Sequence, residues 1–127
     1  ILIKDGEAQL PWAETEKYYP RTAVGMVKPN DYVLLVTDTG SYNGLNHWDM
    51  VNIFKSYGCT YAYNLDGGGS ATLYFNGKVM NKLIGNTQRP CADFLYFYPI
   101  ILFLDKNPVC LHMLPKPSTQ ESAAQSP

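Results

Sequence analysis

The sequence is poor in charge, in histidine and in cysteine, and each scarcity removes a class of function. Lys+Arg (10) and Asp+Glu (11) nearly cancel over 127 residues, for a net charge of −1, and charged residues make up only 17%. No basic block exists, which argues against a nucleic-acid or anionic-membrane partner. Any anion must therefore be held locally, by one or two arginines and backbone amides. The histidines are only two, His47 and His112, and neither lies near Ser70, the serine that ends the run of three glycines at 67–69. A Ser-His-Asp triad would thus lack its base.

Cysteine is scarce and odd in number: Cys59, Cys91 and Cys110. They show no metal-ligand spacing and allow no more than a single internal bridge, so there is no disulfide framework and the redox compartment stays open. Long hydrophobic runs are missing too. The longest apolar stretch, residues 94–104, is interrupted by Pro99 and is shorter than a membrane span requires. No signal peptide opens the chain, and Ile1 in place of a methionine suggests a fragment or a trimmed chain.

What is present describes a β-containing globular domain. Apolar residues reach 46% and aromatics 13%, with 10 tyrosines. Tyrosine favours strands, and its ring can also pack on sugar C–H groups while the hydroxyl bonds. The length fits one domain with one core.

Along the chain, residues 1–3 read as a strand ending in the Asp5-Gly6 turn, and residues 7–20 as loop with one helical turn at 13–17. Residues 21–27 read as a strand and Pro29-Asn30-Asp31 as a turn. The unbroken apolar run 32–37 suits a strand buried on both faces. Asn46 with Asp49 three residues on forms a capping box, followed by Met50, Val51, Phe54 and Tyr57 on one helical face and by Gly58 as terminator. Residues 60–65 are a further strand. Strand, helix and strand over 32–65 predict a right-handed parallel crossover between neighbouring strands. Asn76-Gly77 between 71–75 and 78–80 signals a hairpin with a type I′ turn. Residues 83–87 read as loop, and 92–98 as a last strand. The expected architecture is α+β (or α/β): a mixed twisted sheet with one strand-helix-strand crossover, a C-terminal β-hairpin and the helix packed on the sheet. Residues 1–98 form the domain, 99–114 an extension of uncertain structure, and 115–127 a disordered tail.

Chemistry concentrates at Asn64-Leu65-Asp66-Gly67-Gly68-Gly69-Ser70. Consecutive glycines lose much backbone freedom on folding, so they mark a path that larger residues could not follow. The glycines are not spaced as in a dinucleotide fingerprint, no Gly-Lys-Ser/Thr follows, and Ser70 lacks the final glycine of a nucleophile elbow. A carboxylate and a hydroxyl would flank bare N–H groups able to face an anion. A parallel crossover would bring Asp38 and Asp66 to the same C-terminal edge of the sheet, where ligands bind in open α/β sheets and where two carboxylates suit work on a glycosidic bond. Either acid can equally be a turn-former. Arg21 and Arg89, each beside a proline, are candidate anion clamps or plain surface cations. Asp38, Asn64 and Asp66 could offer oxygens to calcium, though not with the spacing of a known loop, and no cofactor is expected.

Taken in order, Tyr19-Pro20-Arg21-Thr22-Ala23-Val24-Gly25, the strand ending at Asp38, the helix, Asn64 to Thr72, Asn76-Gly77-Lys78-Val79 and Gln88-Arg89-Pro90 resemble the phosphodiester glycosidase family over residues 1–98. The resemblance implies a glycoside hydrolase acting on a glycan or sugar-phosphate, releasing a sugar such as N-acetylglucosamine from a sugar-1-phosphodiester, in an extracytoplasmic or secreted setting. It places Arg21, Thr22, Asp66, Gly67, Gly68, Gly69, Ser70 and Arg89 in the site. Asp38 matches less closely, because Thr39 separates it from Gly40. Asp66 is the expected catalytic carboxylate, with Asp38 as its companion. A non-catalytic carbohydrate- or phosphate-binding domain, or an inert structural remnant, are the alternatives. Nothing in the residues fixes the oligomeric state.

Overall fold

The computed structural model describes residues 1–10, 17–38, 43–91 and 94–97, together with the backbone of 110–113. The expected helical turn at 13–17 falls almost wholly outside them, as do 98–109 and the tail 115–127.

Eight short strands and one helix make up the described fold. β1 (Ile3–Lys4) turns through Asp5 and Gly6 into β2 (Glu7–Ala8). Asp5 at φ 53° and Gly6 at φ 82° give the left-handed pair that a two-residue hairpin needs. The loop expected after residue 6 therefore begins as a strand. β3 (Thr22–Lys28) pairs antiparallel with β4 (Asp31–Val36), with an irregular register between Met26 and Lys28 and Asn30 at φ 65° in the turn. α1 (His47–Ser56) follows, then β5 (Tyr61–Asn64), β6 (Tyr74–Phe75), β7 (Lys78–Val79) and β8 (Cys110–Met113).

The main sheet runs β2-β1-β5-β3-β4-β8. β1 to β5, β5 to β3 and β3 to β4 are antiparallel, and β4 to β8 is parallel. The mixed α+β class holds, but the crossover differs from expectation. β4 and β5 are not neighbours, because β3 lies between them and pairs antiparallel with each. Both still run the same way, so their C-terminal ends share one edge of the sheet. β6 and β7 form a separate two-stranded ribbon across Asn76 (φ 48°) and Gly77 (φ 82°).

The helix covers one face of the sheet. Asn46 accepts the N–H of Asp49 (2.8 Å), and the Asp49 carboxylate accepts the N–H of Asn46 (3.3 Å), closing the capping box. Gly58, at φ 73° just past the C-cap Tyr57, ends the helix. Met50, Val51 and Phe54 are buried against Ile3, Ala23, Val33, Leu35 and Ala62. Tyr57 is not part of this face and remains partly exposed. Gly25 lets the helix approach: a Cβ there would stand 2.5 Å from Phe54 Cδ1 and 2.8 Å from Cys59 Sγ.

β4 is buried on one face only. Val33 and Leu35 enter the core, while Tyr32, Leu34 and Val36 stay half-buried on the other side. That second face also carries Val24, Met26, Tyr61 and Tyr63, around an apolar groove of about 340 Å³. Residues 94–97 were expected within a strand but belong to none, and Phe94 and Tyr96 are exposed with ring centroids 5.9 Å apart.

Candidate functional site

The site forms where β5 ends. Leu65 N–H donates to Thr22 O (2.8 Å) and carries the chain past β3 to Asp66. The glycine turn then bends back onto Pro20. Gly68 N–H donates to Pro20 O (2.7 Å), and a Cβ on Gly67 would lie 2.7 Å from the same oxygen and 3.6 Å from Arg21 Cα. Gly68 sits at φ 60° and opens a short 3-10 turn, Gly68–Ser70. A Cβ on Gly69 would make ordinary contact, 3.6 Å, with Arg89 Cδ. The turn is thus wedged between the Pro20-Arg21 backbone and the Arg89 side chain.

Three amides of the turn are engaged. Gly67 N–H donates to Asp66 Oδ1 (2.9 Å), Gly68 N–H to Pro20, and Ser70 N–H to Gly67 O (3.1 Å). An anion at this turn must rely more on side chains than the glycine run suggests. The Ser70 hydroxyl, then the Gly67 N–H and, more weakly, the Arg89 guanidinium hold the exposed Asp66 carboxyl below the usual range. The Ser70 contact is loose: Ser70 Oγ is buried, and its geometry toward any acceptor falls short of a regular hydrogen bond.

Arg89 and Asp66 therefore share one electrostatic neighbourhood, whereas the Arg21 side chain turns aside. Arg21 Nε donates to Leu45 O (3.1 Å) and Nη2 to Lys17 O (3.0 Å), and the guanidinium lies 5.4 Å from the Tyr19 ring centroid. Burial pushes its pKa down, partly opposed by Tyr19. Its backbone N–H donates to Thr37 Oγ1 (2.9 Å). Arg21 thus ties the turn's floor to the loops around Leu45 and Thr37, its side chain donating to two backbone carbonyls among the described residues. The same floor needs Gly44, at φ 98°, where a Cβ would stand 1.9 Å from Tyr19 O.

Asp38 lies past β4 at the same edge as Asp66 and accepts the N–H of Lys82 (3.2 Å). The preceding residue, Asn81, was not singled out from the sequence. Its Oδ1 accepts Leu73 N–H (2.7 Å) and its Nδ2 donates to Ala71 O (2.8 Å). Asn81 and Lys82 so join the segment after Ser70 to the carboxylate of Asp38. An asparagine closely following an Asn-Gly hairpin is the one local hint of this, and it is weak alone. Cys91 also reaches the turn, its thiol 3.9 Å from Ser70 O and 3.5 Å from Arg89 O.

Among the described residues no group of three or more His, Cys, Asp or Glu gathers as a metal site, and no helix is long and apolar enough to cross a membrane. Thr22 Oγ1, Asn64 Oδ1 and Thr72 Oγ1 join Ser70 Oγ as buried atoms with no hydrogen-bond partner among the described residues.

The chain is similar in sequence to three known proteins. The chain is 34% identical over 100 residues to the SPbeta prophage-derived uncharacterized protein YomE of Bacillus subtilis (strain 168) (74% of this chain, 16% of YomE). It is 41% identical over 93 residues to the N-acetylglucosamine-1-phosphodiester alpha-N-acetylglucosaminidase of Mus musculus (72% of this chain, 17% of that one). The Bos taurus enzyme of the same name is 43% identical over 93 residues (72% and 16%). The chain thus spans about a sixth of the length of these relatives. The family model for phosphodiester glycosidase matches residues 1–98 of the 127, and the chain belongs to that family.

Proposed function

We propose that this chain carries the catalytic edge of a hydrolase that cleaves a sugar-1-phosphodiester, releasing the sugar and leaving a phosphomonoester. N-acetylglucosamine is the sugar in the names of the mouse and bovine relatives. The observation that carries the proposal is Asp66: an exposed carboxylate that accepts Gly67 N–H (2.9 Å) at the mouth of the glycine turn, against which the Arg89 side chain packs.

A lowered pKa suits a nucleophile or a general base and does not suit a general acid. The reaction tolerates this, because a phosphomonoester leaves as a stabilised anion and needs little protonation. Asp66 would attack the anomeric carbon or activate water. Arg89 would steady the departing phosphate, since fixed positive charge acts strongly where negative charge develops. Gly68, with open space where a Cβ would stand, would let the substrate approach the backbone closely, and Thr22 and Ser70 would offer hydroxyls. Arg21 would hold the floor of the pocket through Leu45 and Lys17. Asp38 would be the second carboxylate of the edge. The chemistry as proposed draws its positive charge from arginine and calls for no metal. A glycan substrate also fits an extracytoplasmic setting.

Asp66→Asn tests the assignment. Turnover of a sugar-1-phosphodiester should fall at least about a hundredfold, in line with loss of a positioned base or nucleophile, with an unchanged circular dichroism spectrum. Wild-type turnover in that variant would end the proposal. Binding of a sugar phosphate by the wild-type chain with no turnover would favour a carbohydrate- or phosphate-binding domain instead.

A further inference from the structure

Buried polar atoms without partners are rare in folded proteins, a few per hundred residues at most, and each leaves roughly 1–3 kcal/mol of desolvation uncompensated. In this chain the buried side-chain atoms of that kind, among the described residues, are Thr22 Oγ1, Asn64 Oδ1, Ser70 Oγ and Thr72 Oγ1. Their placement is not scattered. Thr22 follows Arg21, whose Cα lies 3.6 Å from the Cβ position of Gly67. Asn64 is the last residue of β5, opposite Ala23 in the register. Ser70 ends the 3-10 turn, and Thr72 belongs to the segment that Asn81 fixes through Ala71 O and Leu73 N–H. Asn64, Ser70 and Thr72 flank Asp66 along the chain, and Thr22 is tied to the same turn through its carbonyl, which accepts Leu65 N–H (2.8 Å).

We propose that Asn64 and Thr72 are specificity residues of this site, Thr72 donating its hydroxyl to a phosphate oxygen and Asn64 Oδ1 accepting from a sugar hydroxyl. This rests on the sugar-phosphodiester proposal and deepens it. The chemistry follows from donor and acceptor types. A hydroxyl donates to the oxygens of a phosphate, whereas a carboxamide oxygen only accepts and so needs a ligand O–H or N–H. The turn's own amides at Gly67, Gly68 and Ser70 are occupied internally, so these side chains supply what the backbone does not. A site that holds unpaired buried groups ready for its ligand also rejects analogues lacking the matching group.

The experiment uses the full chain and two probes at pH 8, N-acetylglucosamine 1-phosphate and inorganic phosphate, measured by calorimetry beside the melting temperature without ligand. Thr72→Val should weaken both probes about tenfold or more, the value of one hydrogen bond to a charged ligand. Thr72→Ser should restore binding. Asn64→Leu should weaken the sugar phosphate and leave inorganic phosphate unchanged. The melting temperature of Thr72→Val should hold or rise, because a hydroxyl that serves only the ligand contributes nothing to the free fold. A fall of more than about 4 °C, or unchanged binding of both probes, would mean a structural role and would overturn the inference while leaving the Asp66 proposal standing. Equal effects of Asn64→Leu on both probes would overturn the division between sugar and phosphate. A wild-type chain that binds neither probe and turns over no sugar-1-phosphodiester would overturn both proposals together.

Discussion

Pro20 and Gly67 meet backbone to backbone: the Pro20 carbonyl oxygen stands 2.7 Å from the point a Cβ on Gly67 would occupy. The three glycines of the turn are therefore present for different reasons. Gly67 permits the close approach, Gly68 supplies the left-handed φ of 60°, and Gly69 faces Arg89 Cδ at an ordinary 3.6 Å. Only the first two are irreplaceable on physical grounds.

Gly67→Ala should lower stability by about 1–3 kcal/mol, since a backbone carbonyl cannot swing aside as a side chain can. It should also reduce turnover at least about tenfold, because the turn would move off Pro20 and take Asp66 with it. Gly69→Ala should change stability by less than about 0.5 kcal/mol. Urea unfolding of the two variants distinguishes them, and equal stabilities would show that the turn is not packed in this way.

The Asp66 carboxyl predicts the acid side of the pH profile. Its folded pKa is depressed, first by Ser70 and then by Gly67 N–H, so it stays ionised below the ordinary aspartate value of about 3.9. Whatever stability this adds is present above the unfolded pKa and is lost as pH falls through the lower, folded one. The acid limb of kcat/KM should therefore lie below the value of an unperturbed aspartate, and Ser70→Ala should move it upward. A carboxyl of Asp66 that titrates at or above the value of an unperturbed aspartate by carbon NMR would contradict this.

Asn81→Ala should cost about 1–3 kcal/mol, because Leu73 N–H and Ala71 O lose their shared partner in a half-buried position. Activity should fall as well, through loosening of the segment next to Ser70. Asn81→Asp keeps the acceptor for Leu73 and loses the donor to Ala71, so it should fall between wild type and alanine in a denaturant melt. An alanine variant as stable as wild type would remove Asn81 from this role.

The thiols should behave oppositely. Cys59 is buried beneath the helix, and burial, helped by Asp31, raises its pKa from 9.0 to about 11. It should resist alkylation in the folded chain. Cys91 is exposed beside Arg89 and should be labelled first. Peptide mapping after brief iodoacetamide treatment reads both sites separately. The Cys59 shift also favours the fold while the thiol stays neutral, and that contribution fades as pH rises from about 9 through about 11. Labelling of Cys59 at the rate of Cys91 would show that the helix does not cover it.

Local chemistry could be read from the residues alone. The Asn46 and Asp49 capping box, the helix stop at Gly58 and the Asp5-Gly6 turn each depend on a few neighbouring residues, and the carboxylate and glycines of the candidate site stand together in the chain. What lies far apart in sequence could not be read this way. The insertion of β3 between β4 and β5 depends on pairing across the whole sheet. So do the carbonyl partners of the Arg21 guanidinium, the clasp of Asp38 by Lys82 and the two bonds of Asn81. The sequence by itself determined which groups exist at the site and the local turns that carry them. Only the tertiary structure decided that the Arg89 side chain packs at the glycine turn, that Arg21 is drawn to backbone carbonyls and that the Gly68 amide bonds to Pro20, because long-range hydrogen bonding leaves its partners free to be chosen only when the chain closes on itself.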